Sequence, residues 1–233
     1  MNGAAVEGRT KVGALVIGQS PRPDVIDELR AVLGDEVEID LRGALDGLAR
    51  DEIARLPPRN DADALFTHLP DGTDATISKA AVIEHGEATL AAMTDEGFRA
   101  VIVMCTGAFP GWMERYRVVF PSLVLDGFVG ALARGGKLGV LVPLQEQIEP
   151  MRARWQAQGF EPEMGYLRPT SGEEEIDSAA MALGNAHPDL VVYDCLSYGR
   201  ATKRRVEAAI GVPGVLAVSA AARAAQELMS GSN

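Results

Sequence analysis

Two cysteines are the residues of this 233-residue chain that are best placed for chemistry. Cys105 follows the apolar run Ala100–Met104, and Cys195 follows Leu190–Asp194, which is apolar up to its last residue. Short β-branched runs that end in turn residues are typical of buried parallel strands. Ligands of open α/β sheets bind just beyond the carboxyl ends of the strands. The sequence therefore predicts that the two thiols form two halves of one site.

A pair of thiols can move a proton at a carbon that an adjacent carboxylate or carbonyl acidifies. One cysteine must be a thiolate to take the proton, and the opposite one must be a thiol to return it. A free cysteine has a pKa of about 8.5, and the N–H groups of a strand-to-helix turn can lower it. We therefore expect at least one cysteine to react with iodoacetamide faster than a free cysteine does. The alternative is that both are packing residues, since free cysteine is among the most buried residue types.

Polar residues that follow three strands are suited to binding a substrate. Arg22 suits a carboxylate, because a guanidinium can donate paired hydrogen bonds to it, and hydroxyl and backbone N–H groups also suit anions. The predicted substrate-binding residues are Gln19, Ser20 and Arg22 after the first strand, Thr106 and Gly107 after Cys105, and Ser197 and Tyr198 after Cys195. The alternative at each position is an ordinary turn residue or a solvent-exposed side chain.

Strand and helix signals alternate along almost the whole chain. The predicted strands are Lys11–Gly18, Glu36–Leu41, Ala64–Leu69, Asp74–Ile77, Ala100–Met104, Lys137–Val142, Glu161–Leu167, Leu190–Asp194 and Val212–Ala217. The predicted helices are Arg22–Leu33, Asp51–Leu56, Lys79–Glu96, Pro121–Arg134, Gln145–Gln158, Gly172–Asn185, Ala201–Ile210 and Ser219–Met229. The third and fourth strands form a hairpin, and Ser20 is the predicted N-cap of the first helix. This order predicts an α/β fold with a mostly parallel sheet.

A faint internal repeat divides the chain. Lys11–Val16 and Lys137–Val142 share Lys, Gly, Leu and Val in register, and each begins a series of strands and helices that ends in a cysteine. The first series is longer, and its surplus is roughly Ala49–Ser78, which contains the hairpin.

The composition of the chain limits the classes of molecule that it is expected to bind. The net charge of −11 argues against nucleic acid and anionic membrane surfaces. The sequence has neither an apolar stretch of the roughly 18 residues that a spanning helix needs nor a secretory signal, so we expect a cytoplasmic protein with free thiols. The three histidines are not at ligand spacing, and neither a Cys-x-x-Cys nor a phosphate-binding glycine motif occurs. We expect no metal, no other cofactor and a small carboxylate as partner, and we allow for a homodimer.

The chain resembles the aspartate/glutamate racemase superfamily. Cys105–Gly107 and Cys195–Ser197 match its strand-end cysteines, and Gly139–Pro143 is similar to the decarboxylase and isomerase branch. More narrowly, Gly18–Val25 and Asp194–Leu196 resemble the AroM family, and this resemblance covers essentially everything after residue 10.

The resemblance implies two pseudo-symmetric α/β lobes, each a mostly parallel sheet flanked by helices, with one cysteine from each lobe facing a cleft. We place the first lobe at residues 11–120 plus 213–233 and the second at 121–212, after a disordered tail at 1–10.

The resemblance also implies a racemase or epimerase that needs no pyridoxal phosphate or other cofactor. It would act on a small carboxylate, amino-acid-like or not, with Cys105 and Cys195 as the acid–base pair. Amino-acid racemases typically have Cys-Asn-Thr and Cys-Thr at these places, whereas this chain has Thr106-Gly107 and Leu196 after its cysteines. Two alternatives remain open: a decarboxylase or isomerase relative that uses one thiol, and a non-catalytic protein that binds a small molecule.

Overall fold

A computed structural model describes residues 10–133 and 136–230 of the chain. In chain order the strands are β1 (Lys11–Val16), β2 (Glu38–Gly43), β3 (Ala64–His68), β4 (Asp74–Ser78), β5 (Ala100–Met104), β6 (Lys137–Val142), β7 (Glu161–Tyr166), β8 (Leu190–Tyr193) and β9 (Gly214–Leu216). The helices are α1 (Pro23–Leu33), α2 (Arg50–Ile53), α3 (Lys79–Asp95), α4 (Pro110–Arg115), α5 (Pro121–Ala133), α6 (Ile148–Ala157), α7 (Glu173–Gly184), α8 (Arg200–Ile210) and α9 (Ala217–Met229). Within the described ranges, the helices fall short of the length and apolar character that crossing a membrane requires.

Two predictions fall on residues that are not described. The predicted tail lies outside the described residues except for its last one, Thr10. Arg134 and Gly135, at the end of the predicted helix Pro121–Arg134, also lie outside them.

Two parallel sheets confirm the predicted α/β fold. The first has the strand order β2-β1-β5 and the second β7-β6-β8-β9, and all neighbouring strands run parallel. The repeated segments form β1 and β6, and these strands have equivalent neighbours, with β5 beside one and β8 beside the other. Cys105 and Cys195, which follow β5 and β8, therefore leave the two sheets at equivalent positions.

Buried side chains on both faces hold the first sheet in place. Ala14 and Ile102 pack into a core that continues through the second sheet, whereas Leu15 and Val103 pack into a second core that includes residues of the β3–β4 hairpin. This division follows because successive side chains of a strand point to opposite faces. Burial of a side chain such as Leu15, Ile102 or Val103 stabilises the fold by roughly 1.5–3 kcal/mol, so the strand ends are firmly positioned.

The predicted hairpin forms and stands apart from both sheets. β3 and β4 pair only with each other and are antiparallel, among the described strands. Three side-chain hydrogen bonds tie the hairpin to the second half of the chain. Gln147 Nε2 donates to the Ala64 carbonyl over 3.0 Å, and Asp74 Oδ2 accepts from Thr170 Oγ1 over 2.8 Å and from Arg168 Nη1 over 3.4 Å. The hairpin therefore bridges the two halves of the molecule.

One local prediction was wrong and one short helix was not predicted, and distant contacts decide the structure at both places. Ser20 is not the cap of α1, which begins at Pro23; the Ser20 hydroxyl donates to Asp46 Oδ2 over 2.7 Å instead. The short helix α4 was not predicted. Glu87 on α3 holds it by accepting a 2.6 Å hydrogen bond from Trp112 Nε1.

The boundaries between the lobes stay a prediction. The strand β9 pairs with β8, so residues 214–216 extend the second sheet. The helix α9 that follows packs against α1, α5 and β5. The end of the chain thus contacts both sheets.

Candidate functional site

A small cavity lies beyond the ends of β1, β5, β6 and β8 and against the middle of β3, and we call it the thiol cavity. It is lined by six of the nine predicted site residues, which are Arg22, Cys105, Thr106, Gly107, Cys195 and Ser197. Leu65 and Phe66 of β3 form part of its wall. Its volume is about 30 Å³. By this measure of volume a cavity needs roughly 10–15 Å³ to hold one water molecule. The thiol cavity therefore has room for about two waters and not for an organic acid.

Both cysteines are free thiols that face this one cavity. Burial raises the pKa of Cys105 to about 12, although the Gly107 N–H, 3.3 Å from Cys105 Sγ, acts in the opposite direction. Burial likewise raises the pKa of Cys195 to about 11, against the lowering effects of hydrogen bonds from Ser197 and the charge of Arg22. The expectation of a lowered thiol pKa was therefore wrong, because the effect of burial outweighs that of the donors of the turn.

Iodoacetamide should accordingly react with both thiols more slowly than with a free cysteine, and with Cys195 before Cys105. At pH 7 a thiol with a pKa of about 11 is a thiolate in about one molecule in 10⁴. The alkylation rate at each site should rise about tenfold per pH unit from neutral pH to about pH 10. Quantifying the two alkylated peptides by mass spectrometry checks this, with the urea-unfolded chain as the control. A rate that levels off below about pH 8.5 at either cysteine would contradict it.

Arg22 lines the cavity, but its paired donors already have a partner. Its Nε and Nη2 atoms donate to the two carboxylate oxygens of Asp24 over 2.8 and 2.6 Å. Nη1 donates to the His68 carbonyl over 3.2 Å, and Nη2 also lies 3.3 Å from Ser197 Oγ. Burial raises the pKa of Asp24, yet the hydrogen bonds and charge of Arg22 outweigh burial and hold it below the usual value.

The polar groups beside the cysteines mostly fix the two turns. Thr106 Oγ1 donates to the backbone carbonyl of Asp194 over 3.1 Å, which links the turn after β5 to the turn after β8. The N–H groups of Gly107 and Ser197 are directed at the sulfurs of Cys105 and Cys195. The Thr106 hydroxyl proton is therefore already used, and the predicted role of this hydroxyl toward an anion stays a prediction.

The other three predicted residues are not among those that line the cavity. Gln19 Nε2 donates to the carbonyls of Leu45 and Leu48 over 3.2 and 2.8 Å. Ser20 is bonded to Asp46, as described above. Tyr198 is fully buried, and its hydroxyl donates to the Leu167 carbonyl. These contacts anchor the loops after β2 and β7, and the substrate-binding role of Gln19, Ser20 and Tyr198 stays a prediction.

Asp194 is a site residue that the sequence analysis missed. It lines the cavity next to Cys195, and its side chain has no exposed surface. Oδ2 accepts hydrogen bonds from Arg154 Nη1 over 3.2 Å and Trp155 Nε1 over 3.1 Å, and among the described residues Oδ1 has no partner. Arg154 also pairs with Asp126. One cation thus serves two carboxylates. The only feature of the sequence that could have identified Asp194 was its position as a charged residue between a buried strand and a cysteine.

The described residues offer little for a metal. In residues 10–133 and 136–230, no group of three or more His, Cys, Asp or Glu side chains is arranged to hold a metal ion.

Comparisons with known proteins match the whole described architecture. A family model described as "AroM protein" matches residues 12–229. The chain is similar to the solved structure of unliganded arylmalonate decarboxylase, with 16% identity, coverage of 96% of this chain and 94% of that one, and a TM-score of 0.58. It is also similar to allantoin racemase from Pseudomonas fluorescens, with 15% identity, coverage of 94% and 90%, and a TM-score of 0.59.

A third similar structure is glutamate racemase from Francisella tularensis subsp. tularensis SCHU S4 in complex with D-glutamate, with 12% identity, coverage of 97% of this chain and 85% of that one, and a TM-score of 0.60. At these identities the similarity establishes a shared fold, that of the aspartate/glutamate racemases, since one fold hosts many functions. A search of curated protein sequences found no match.

Proposed function

The chain belongs to the AroM protein family. We propose that it is a cofactor-independent racemase or epimerase that inverts the carbon next to the carboxylate of a small acid, by proton transfer between Cys105 and Cys195. The observation that carries the proposal is that cysteines from equivalent positions of two sheets line one cavity. Inversion of a carbon needs a base on one face and an acid on the other. Two thiols from the two halves of the molecule can supply this base and this acid.

In the proposed reaction the thiolate of one cysteine takes the proton from the carbon next to the carboxylate. The electrons of the C–H bond pass into the carboxylate, and the thiol of the other cysteine protonates the opposite face. The first cysteine ends as a thiol and the second as a thiolate, so the step is balanced without an oxidant or a reductant. The raised pKa of both cysteines makes the thiolate scarce, but it also makes that thiolate a stronger base.

The size of the thiol cavity requires that it open before an acid can enter. The β3–β4 hairpin contributes Leu65 and Phe66 to the wall and pairs with neither sheet, so an opening at this wall would break no strand pairing within either sheet. The hydrogen bonds of Ala64 and Asp74 to the second half of the chain would have to give way. Closure of such a loop around a substrate excludes water and completes a site.

The raised pKa of both thiols favours a second candidate function, a non-catalytic protein that binds a small carboxylate. Such a protein needs neither thiolate nor proton transfer. A relative that uses one thiol to protonate the product of a decarboxylation is the remaining alternative.

Solvent deuterium exchange tests the proposal. Malonates, hydroxy acids and amino acids should be incubated with the protein in deuterated water and followed by proton NMR and chiral chromatography. We expect one class of acid to lose its α-proton signal while its stereochemistry scrambles, and the Cys105→Ser/Cys195→Ser double variant to leave the acid unchanged. An acid that raises the melting temperature of the protein but keeps its α-proton would support the binding protein instead, and release of carbon dioxide would support the decarboxylase.

A further inference from the structure

We propose that the pocket outside the thiol cavity is a carboxylate-binding subsite in which Arg22 is the cation and Asp24 is an internal carboxylate that an incoming carboxylate displaces. We call it the mouth pocket, and its lining includes Pro21, Arg22, Asp24, His68, Thr170 and Ser197. The inference deepens the proposed function, on which it rests, by assigning the group that recognises the acid.

The mouth pocket adjoins the thiol cavity and is much larger. Its volume is about 500 Å³, against about 30 Å³ for the thiol cavity. Arg22 and Ser197 line both spaces, and Arg22 Nη2 lies 3.3 Å from Ser197 Oγ. The thiol cavity and the mouth pocket therefore adjoin at the hydrogen bond between Arg22 and Ser197. A small acid held by Arg22 in the mouth pocket would lie close to Cys195, whose pKa the charge of Arg22 already lowers.

Arg22 and Asp24 differ in how easily they can move. The Arg22 side chain is only 5% exposed, whereas that of Asp24 is 51% exposed. Arg22 is also held by the His68 carbonyl and by Ser197. Asp24 can therefore turn into water when another carboxylate takes its place, while Arg22 keeps its position. A guanidinium buried to this degree needs an anionic partner, because an unpaired buried charge is strongly destabilising.

The geometry of the pair selects the chemical class of the ligand. Asp24 occupies both donors of the guanidinium fork, as a carboxylate of a ligand would. Exchange of one carboxylate for another preserves the charge pair and both hydrogen bonds. A neutral amide of the same shape cannot replace them, since hydrogen bonds to charged groups are roughly twice as strong as those between neutral groups. The subsite therefore fits a small carboxylate, and Asp24 keeps Arg22 paired until one arrives.

Alkylation of Cys195 by two related reagents tests this without a known substrate. Iodoacetate carries a carboxylate and iodoacetamide carries an amide, and both form a bond from the thiolate sulfur to their CH₂ group with loss of iodide. The rate of each at Cys195 should be measured by peptide mass spectrometry in the wild type and in Asp24→Asn. Removal of the Asp24 charge should raise the iodoacetate-to-iodoacetamide rate ratio at Cys195 about tenfold or more, since only the carboxylate reagent can form charge-assisted hydrogen bonds with the guanidinium that Asp24 has released.

Asp27→Asn is the matched control, because Asp27 is an exposed carboxylate on the same helix. Its removal changes the net charge equally and should leave the ratio unchanged. An unchanged ratio in Asp24→Asn, or an equal rise in Asp27→Asn, would overturn the inference. Adding Arg22→Gln to Asp24→Asn should remove the rise if the double variant folds, and the Asp27 comparison decides the matter if it does not. The experiment needs no turnover, so its result stands apart from the outcome of the exchange screen.

Discussion

Serine at either cysteine position should abolish net inversion of the acid that the exchange screen identifies, while the acid still binds. A hydroxyl is a far weaker acid than a thiol, and a well-placed acid–base group contributes about 10²–10⁴-fold to the rate. Cys105→Ser leaves Cys195 able to take and return a proton on its own face, and Cys195→Ser leaves Cys105 able to do the same. Each single variant should therefore show deuterium exchange without inversion, and the double variant should show neither.

Chiral chromatography measures inversion, proton NMR measures exchange, and the dissociation constant of the acid shows that the site is intact. The melting temperature of each variant should stay close to that of the wild type, because serine is nearly isosteric with cysteine. Inversion that survives in either single variant at close to the wild-type rate would show that Cys105 and Cys195 are not the acid–base pair, whatever the fold.

Methionine in place of Arg154 should lower the free energy of unfolding by about 3–5 kcal/mol, the usual cost of leaving a buried charge unpaired. Arg154 is the cation that faces the carboxylate of Asp194, whose side chain is 0% exposed. Without Arg154, that carboxylate keeps only the indole N–H of Trp155. Urea denaturation measures the loss, and adding Asp194→Asn to Arg154→Met should recover part of it by removing the unpaired charge.

Arg205→Met is the matched control for Arg154→Met. Arg205 also pairs with two carboxylates, but the side chains of its partners, Asp177 and Glu173, are 49% and 79% exposed. Water can replace the arginine there, so the loss should be much smaller. An equal loss in the two variants would mean that the pairing of Arg154 with Asp194 adds nothing beyond an ordinary surface contact.

The strands could be predicted because buried parallel strands are nearly continuous apolar runs in the sequence. The bounds of β5 and β6 agree with the predicted ones residue for residue. The repeat at Lys11 and Lys137 correctly indicated two equivalent strands, and the cysteines follow the strands beside them. The prediction that both thiols face one site therefore needed only local patterns and one topological rule.

Most of what the sequence did not predict depends on contacts across long stretches of chain. Gln19 bonds to carbonyls of residues 45 and 48, and Tyr198 to that of residue 167, and the positions of Gln19 and Tyr198 in turns gave no sign of these partners. Arg22 was interpreted as a first-turn residue of a helix, whereas it is the buried N-cap and is paired with Asp24. The direction of the thiol pKa values depended on how tightly the cavity closes, which no local pattern reports.

The two thiols have different neighbours, but under the proposed function thermodynamics limits what this difference can change. Cys195 has the hydrogen bonds of Ser197 and the charge of Arg22 beside it, whereas Cys105 has one hydrogen bond, from the N–H of Gly107, and the charge of Lys79. The mirror-image forms of a substrate with one stereocentre have the same free energy in water, so an enzyme leaves them in equal amounts at equilibrium. Any difference in kcat between the two directions must then be matched by the same factor in KM. The asymmetry between Cys105 and Cys195 can decide which enantiomer saturates the protein first, but it cannot decide which one accumulates.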